Sequence, residues 1–129
     1  MLIDKEYNWQ DKVILIAEDE ETNYLLVEKL LKSVKATLLR AKTGKEAVDI
    51  VKSGEMIDLV LMDMKMPEMD GIEAAKIIRM LNPKLPIIAQ TCYEPDIDQS
   101  RLLSANFDGF ISKPININKL IELIDKNIS

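Results

Sequence analysis

At 129 residues and 47% hydrophobic content, the chain can bury one core without metal or disulfide staples, so a single folded domain is expected. The formal charge of −5 with scattered basic residues argues against a nucleic-acid surface, and the absence of histidine removes imidazole catalysis, His ligation and phosphohistidine from this chain. The longest apolar runs, about five residues, exclude a membrane-spanning helix of roughly 20, while a lone cysteine, Cys92, and no signal-peptide pattern favour a reducing cytoplasm.

Residues 1–11 are polar and aperiodic and read as a leader or linker, with residues 12–129 as the folded unit; Trp9 can still dock on it. From Val13, short β-branched or apolar runs alternate with helical patterns, the signature of repeated βα units and a parallel sheet. Val13–Ala17 is the first strand, followed by the acidic run Glu18-Asp19-Glu20 and a helix periodic in Leu25, Leu26, Lys29 and Leu30. Thr37–Ala41 is the second strand, and Thr43-Gly44 and Ser53-Gly54 bracket a helix with Ala47, Val48, Ile50 and Val51 on its apolar face. Leu59–Met62 is the third strand, ending on Asp63, and its helix carries Ile72, Ala75 and Ile78 before Pro83 and Pro86 stop it. Ile87–Gln90 is the fourth strand, with Thr91 after it, and Asp96–Ser104 is a short, weakly apolar fourth helix candidate. Phe107–Ile111 is the fifth strand, with the Asp108-Gly109 turn near its start, then Lys113-Pro114 and a last helix periodic in Leu120, Ile121, Leu123 and Ile124.

Strands joined by helical crossovers must connect right-handedly and be covered on both faces, giving an α/β three-layer sandwich of the doubly wound type. In such sheets ligands sit beyond the carboxyl ends of the strands. Glu18-Asp19, Asp63, Thr91 and Lys113 all fall at that edge. Carboxylates held together repel and raise one another's pKa unless a cation joins them, and a shell of oxygens with no histidine suits Mg²⁺, with Mn²⁺ as an alternative. An aspartate oxygen is a competent nucleophile toward a phosphoryl group, and an ammonium, a hydroxyl and a cation can neutralise its equatorial oxygens.

Each piece has a plainer reading in isolation: a solvated acidic turn, a helix cap, a loop threonine, a surface lysine. Phe110 by itself reads as core, Met62, Met64, Met66 and Met69 as packing, and Cys92 as a small residue near the site. The joint placement outweighs these readings.

Here VILIAEDEETN, LVLMDMKMPEMDG, IIAQT and FDGFISKPI resemble a receiver domain of the two-component response regulators, over about residues 12–128. The resemblance implies the flavodoxin-like (βα)5 fold with strand order 2-1-3-4-5. It implies Asp63 as phosphoacceptor, Glu18, Asp19, Asp63 and the Lys65 backbone carbonyl as Mg²⁺ ligands, Thr91 and Lys113 on the phosphoryl group, and Thr91 with Phe110 as the switch pair. It also implies a cis Lys113–Pro114 peptide. The implied partner is a histidine kinase or histidine phosphotransfer protein, and the readout face combines the fourth helix, fifth strand and last helix, which is also a route to a homodimer. Three departures from the usual pattern stand out: Phe110 has no hydroxyl, Cys92 stands where alanine is usual, and the pair Lys65 and Tyr93 flanks the path of an attacking water. An aspartyl-phosphate hydrolase would need an acid where Lys65 stands, and a pseudo-receiver would lack one of the key residues. The run AEDEETNYLLVEKLL is similar to receivers fused to sensor histidine kinases, and no DNA-binding effector is expected to follow, so a receiver module of a hybrid kinase is expected.

Overall fold

The computed structural model of the chain describes residues 7–92 and 105–128. In chain order it contains β1 (Val13–Ala17), α1 (Glu21–Ser33), β2 (Thr37–Ala41), α2 (Gly44–Lys52), β3 (Leu59–Asp63), α3 (Gly71–Leu81), β4 (Ile87–Cys92), β5 (Gly109–Lys113) and α4 (Ile117–Ile128). The strands form one parallel sheet in the order β2-β1-β3-β4-β5, the flavodoxin-like order expected. The fourth helix candidate, Asp96–Ser104, and Tyr93 lie outside the described residues.

Strand side chains alternate between faces, so the sheet sorts its apolar residues into two cores. Leu15, Val60, Met62, Ile87 and Ala89 pack under α2 and α3, with Ala47, Val48, Ile72, Ala75 and Ile78. Ile14, Ile16, Leu59, Leu61, Ile88 and Ile111 pack under α1 and α4, with Val27, Leu31, Leu120 and Ile124. Trp9 docks on this second core, 5% exposed, and its N–H donates to the Val34 carbonyl at 2.7 Å.

Side-chain caps start the helices as the turn chemistry predicts. The Thr43 hydroxyl accepts from the Glu46 N–H at 3.0 Å to open α2, and the Asp70 carboxylate accepts from the Glu73 N–H at 2.9 Å to open α3. Glu20 caps α1 by accepting from the Thr22 and Asn23 N–H groups.

The buried face of α1 and the start of β5 differ from the sequence reading. The buried stripe of α1 is Tyr24, Val27, Leu30 and Leu31, whereas Leu25 and Leu26 are 51% and 38% exposed. Tyr24 is drawn inward because the Arg40 guanidinium of β2 lies 3.9 Å from its ring centroid. The fifth strand starts at Gly109 rather than Phe107, because the Asp108 carboxylate accepts from the Ile87 N–H at 2.8 Å and from Arg79 at 2.7 Å, ahead of the ladder that pairs Ile88 with Gly109. Among the described residues no helix is long and apolar enough to cross a membrane.

Candidate functional site

Parallel strands all point their carboxyl ends the same way, and at that edge β1, β3, β4 and β5 each deliver a polar residue. On the face shared with α1 and α4, the apolar alternation of β1 (Ile14, Ile16) continues to Glu18, and that of β3 (Leu59, Leu61) continues to Asp63. Ile88 on β4 leads to Gln90 in the same way, and Ile111 on β5 to Lys113. The four side chains therefore share one face of the sheet.

Glu18, Asp19 and Asp63 each present a carboxylate oxygen, all within 4.8 Å of one another, with Glu18 and Asp63 buried and Asp19 exposed. The Lys113 Nζ bridges the two buried acids, 3.1 Å from Glu18 Oε1 and 3.1 Å from Asp63 Oδ1. One ammonium cannot balance three carboxylates. Burial, followed by the neighbouring Glu18, pushes the Asp63 carboxyl from its ordinary 3.8 up to about 6. Burial also works against the Lys113 ammonium, but the charges and hydrogen bonds of Asp63 and Glu18 outweigh it and hold its pKa above the usual lysine value. The cluster carries excess negative charge among oxygen donors only, which is the chemistry of a hard divalent cation site.

Thr91 is buried near the end of β4, in register with Ser112 of β5 and one residue beyond Gln90, whose register partner is Asp63. Strand alternation sets the Thr91 side chain on the opposite face from Gln90. Thr91 and Lys113 lie inside their strands rather than after them, since Thr91 and Cys92 continue the ladder to Ser112 and Lys113. Lys65 is exposed two residues past Asp63. Phe110 is not a core residue: it is 49% exposed, with its ring edge-on to Phe107 at a centroid distance of 5.6 Å. The Lys113–Pro114 peptide is cis.

The loop after β3 is held by close backbone packing. A Cβ on Gly71 would lie 2.1 Å from the Asp63 carbonyl oxygen, and one on Gly44 would lie 2.3 Å from the Met69 carbonyl oxygen. Glycine alone permits these approaches.

Three site residues escaped the sequence reading. Arg40 donates from Nε and Nη2 to the Glu18 carbonyl at 3.3 and 3.1 Å and pairs with Glu21 at 3.0 Å. Asn23 donates from Nδ2 both to Glu18 Oε1 and, at 3.1 Å, to Gln90 Oε1. Gln90 itself is fully buried. The available signal was a long polar residue following an apolar run within a strand, Arg40 in β2 and Gln90 in β4.

The family model described as the response regulator receiver domain matches residues 14–125. The chain belongs to the receiver domain family. As a receiver domain it is a module of two-component phosphorelay signalling. The receiver is 33% identical over 117 residues to the autoinducer 1 sensor kinase/phosphatase LuxN of Vibrio harveyi, a match that covers 89% of this chain and 13% of LuxN. In three dimensions it is similar to the receiver domain of the sensor histidine kinase PA1611 from Pseudomonas aeruginosa, solved with a magnesium ion coordinated in its active site cleft. The TM-score is 0.84 at 28% identity, covering 91% of this chain and 97% of that one. It is also similar to the receiver domain of the Saccharomyces cerevisiae response regulator Ssk1, co-crystallised with the histidine phosphotransfer protein Ypd1. There the TM-score is 0.84 at 28% identity, with 96% and 92% coverage.

Proposed function

We infer that this receiver takes a phosphoryl group onto Asp63 from a phosphohistidine on a histidine kinase or histidine phosphotransfer protein. The observation that carries this reading is the Lys113 ammonium seated 3.1 Å from both Asp63 and Glu18 at the carboxyl edge of the sheet. An Asp63 carboxylate oxygen attacks phosphorus, the P–O bond forms as the donor's P–N bond breaks, and that electron pair returns to the imidazole nitrogen. Lys113 takes one phosphoryl oxygen and the Thr91 hydroxyl another. Glu18, Asp19, Asp63 and the Lys65 carbonyl would hold Mg²⁺, or Mn²⁺ in its place, which when bound neutralises charge on the phosphoryl oxygens. The receiver thus catalyses its own modification and its own slow dephosphorylation, and turns over no external product.

The added charge biases Thr91 and Phe110 toward a second arrangement that a partner prefers. Phe110 has no hydroxyl, so its part in the switch is steric. Residues 12–129 form the receiver unit and residues 1–11 a leader anchored by Trp9. The readout face includes β5 and α4, and a homodimer would form through the same face; the fourth helix candidate expected beside them lies outside the described residues. The similarity to LuxN and to the PA1611 receiver supports a receiver module of a hybrid sensor histidine kinase, working on the cytoplasmic side of the membrane.

Intact mass after incubation with acetyl phosphate, with and without Mg²⁺, tests the reading. A labile gain of one phosphoryl group that requires both Mg²⁺ and Asp63 is expected. Labelling that persists in Asp63→Asn would overturn the assignment.

A further inference from the structure

Next to the carboxylate cluster lies an amide pair, buried Gln90 and half-buried Asn23, that phosphoryl transfer does not use. Gln90 is 0% exposed, and its backbone pairs in register with Asp63. Asn23, in the first turn of α1, connects the Gln90 side chain to Glu18 through its Nδ2 group. An ionised carboxylate only accepts hydrogen bonds, so Asn23 must face Glu18 with its nitrogen. The second Nδ2 hydrogen then points at Gln90, which must answer with its oxygen. The consequence is an unpaired donor: Gln90 Nε2 is buried and has no hydrogen-bond partner among the described residues. A buried amide left in this state lowers stability, and a leucine of similar size would not carry that cost.

The benefit lies in what the pair does to Glu18. Its Oε1 is shared by Asn23 and, at 3.1 Å, by Lys113, while Oε2 accepts from the Glu20 N–H at 3.3 Å. Without the Gln90 oxygen, the second Nδ2 hydrogen loses its acceptor and the Asn23 side chain is free to leave the rotamer from which it holds the Glu18 carboxylate. We propose that Gln90 is a positioning residue for divalent-cation binding, acting through Asn23 to hold the Glu18 carboxylate in its ligating orientation. This rests on the reading of Glu18, Asp19 and Asp63 as the Mg²⁺ site. Partners in the layer around a metal's ligands commonly change affinity by about 10- to 100-fold when removed.

Two quantities that a merely structural role would move together should here move in opposite directions. In the full chain, Gln90→Leu should raise the metal-free Tm by roughly 3–6 °C. In a Mg²⁺ titration followed by backbone amide shifts, it should weaken binding about tenfold. Gln90→Met, also lacking an acceptor, should repeat both effects and stands in for Gln90→Leu if that variant does not fold. Asn23→Ala should weaken Mg²⁺ to a similar degree, and adding Gln90→Leu to it should weaken binding no further, since one residue acts through the other. Affinity within twofold of wild type in the Gln90 variants, losses that add, or a fall in both Tm and affinity would overturn the proposal. A wild-type chain that binds no Mg²⁺ would overturn the metal reading and this inference together.

Discussion

Asp63 and Glu18 are buried acids that share the Lys113 ammonium, and the pair is held in a state that a further positive charge would relieve. Because the Asp63 carboxyl is pushed up from 3.8 to about 6, its ionised form subtracts stability from the metal-free fold. That penalty is absent below the unfolded value, grows between the two, and is complete above the folded one. Asp63→Asn is therefore expected to stabilise the metal-free protein by about 1–3 kcal/mol at pH 8 and to be neutral near pH 3.5. Urea unfolding with a chelator present checks this, and equal stability at pH 8 would contradict it. Mg²⁺ at a hundred times its Kd should stabilise wild type by about 2.7 kcal/mol and the Asn variant by less. The acids and the lysine were legible because each is a chemically distinctive residue at the end of an apolar run. Asn23 and Gln90 were not, because they are 67 residues apart and their roles exist only once α1 packs beside β4.

Among the elements, the loop from β3 to α3 depends on Gly71, whose added Cβ would meet the Asp63 carbonyl oxygen at 2.1 Å and Met64 Cε at 2.7 Å. Backbone cannot yield as a side-chain tip can. Gly71→Ala should cost about 2–3 kcal/mol in urea unfolding and also weaken Mg²⁺, since the displaced loop carries Lys65. Lys113, the last residue of β5, links the acids to the strand that bears Phe110. Lys113→Ala should therefore still label at Asp63 while the Phe110 ring resonances stay unchanged on phosphorylation; a wild-type-like shift would break the proposed link. The apolar phase of α1 could not be read from its sequence, because Leu25 and Leu26 compete with Tyr24 and Val27 for the inner face at helical spacing. Arg40, reaching across from β2, decided for Tyr24. The start of β5 was likewise set by Asp108 and Arg79, a contact across 29 residues.

For the whole molecule, the segment ahead of β1 packs on the fold from Tyr7 onward. Trp9 is buried beside the α1 and α4 core, and its ring is tilted against Tyr7 at 5.5 Å. Trp9→Ala should cost about 3 kcal/mol, measured by circular dichroism because Trp9 is the single tryptophan. A loss under about 0.5 kcal/mol would show that the ring merely rests on the surface. The amino-acid sequence by itself determined the succession of the described strands and helices, the parallel sheet and the chemical identity of the cluster. Those features are written in local periodicity and in residue types placed next to apolar runs. Tertiary structure alone decided which face α1 buries, where β5 begins, that Phe110 points outward, and that Gln90 and Asn23 stand behind Glu18. These are outcomes of contacts between residues far apart in the chain, where several local patterns are equally satisfied and only packing and hydrogen-bond pairing choose among them.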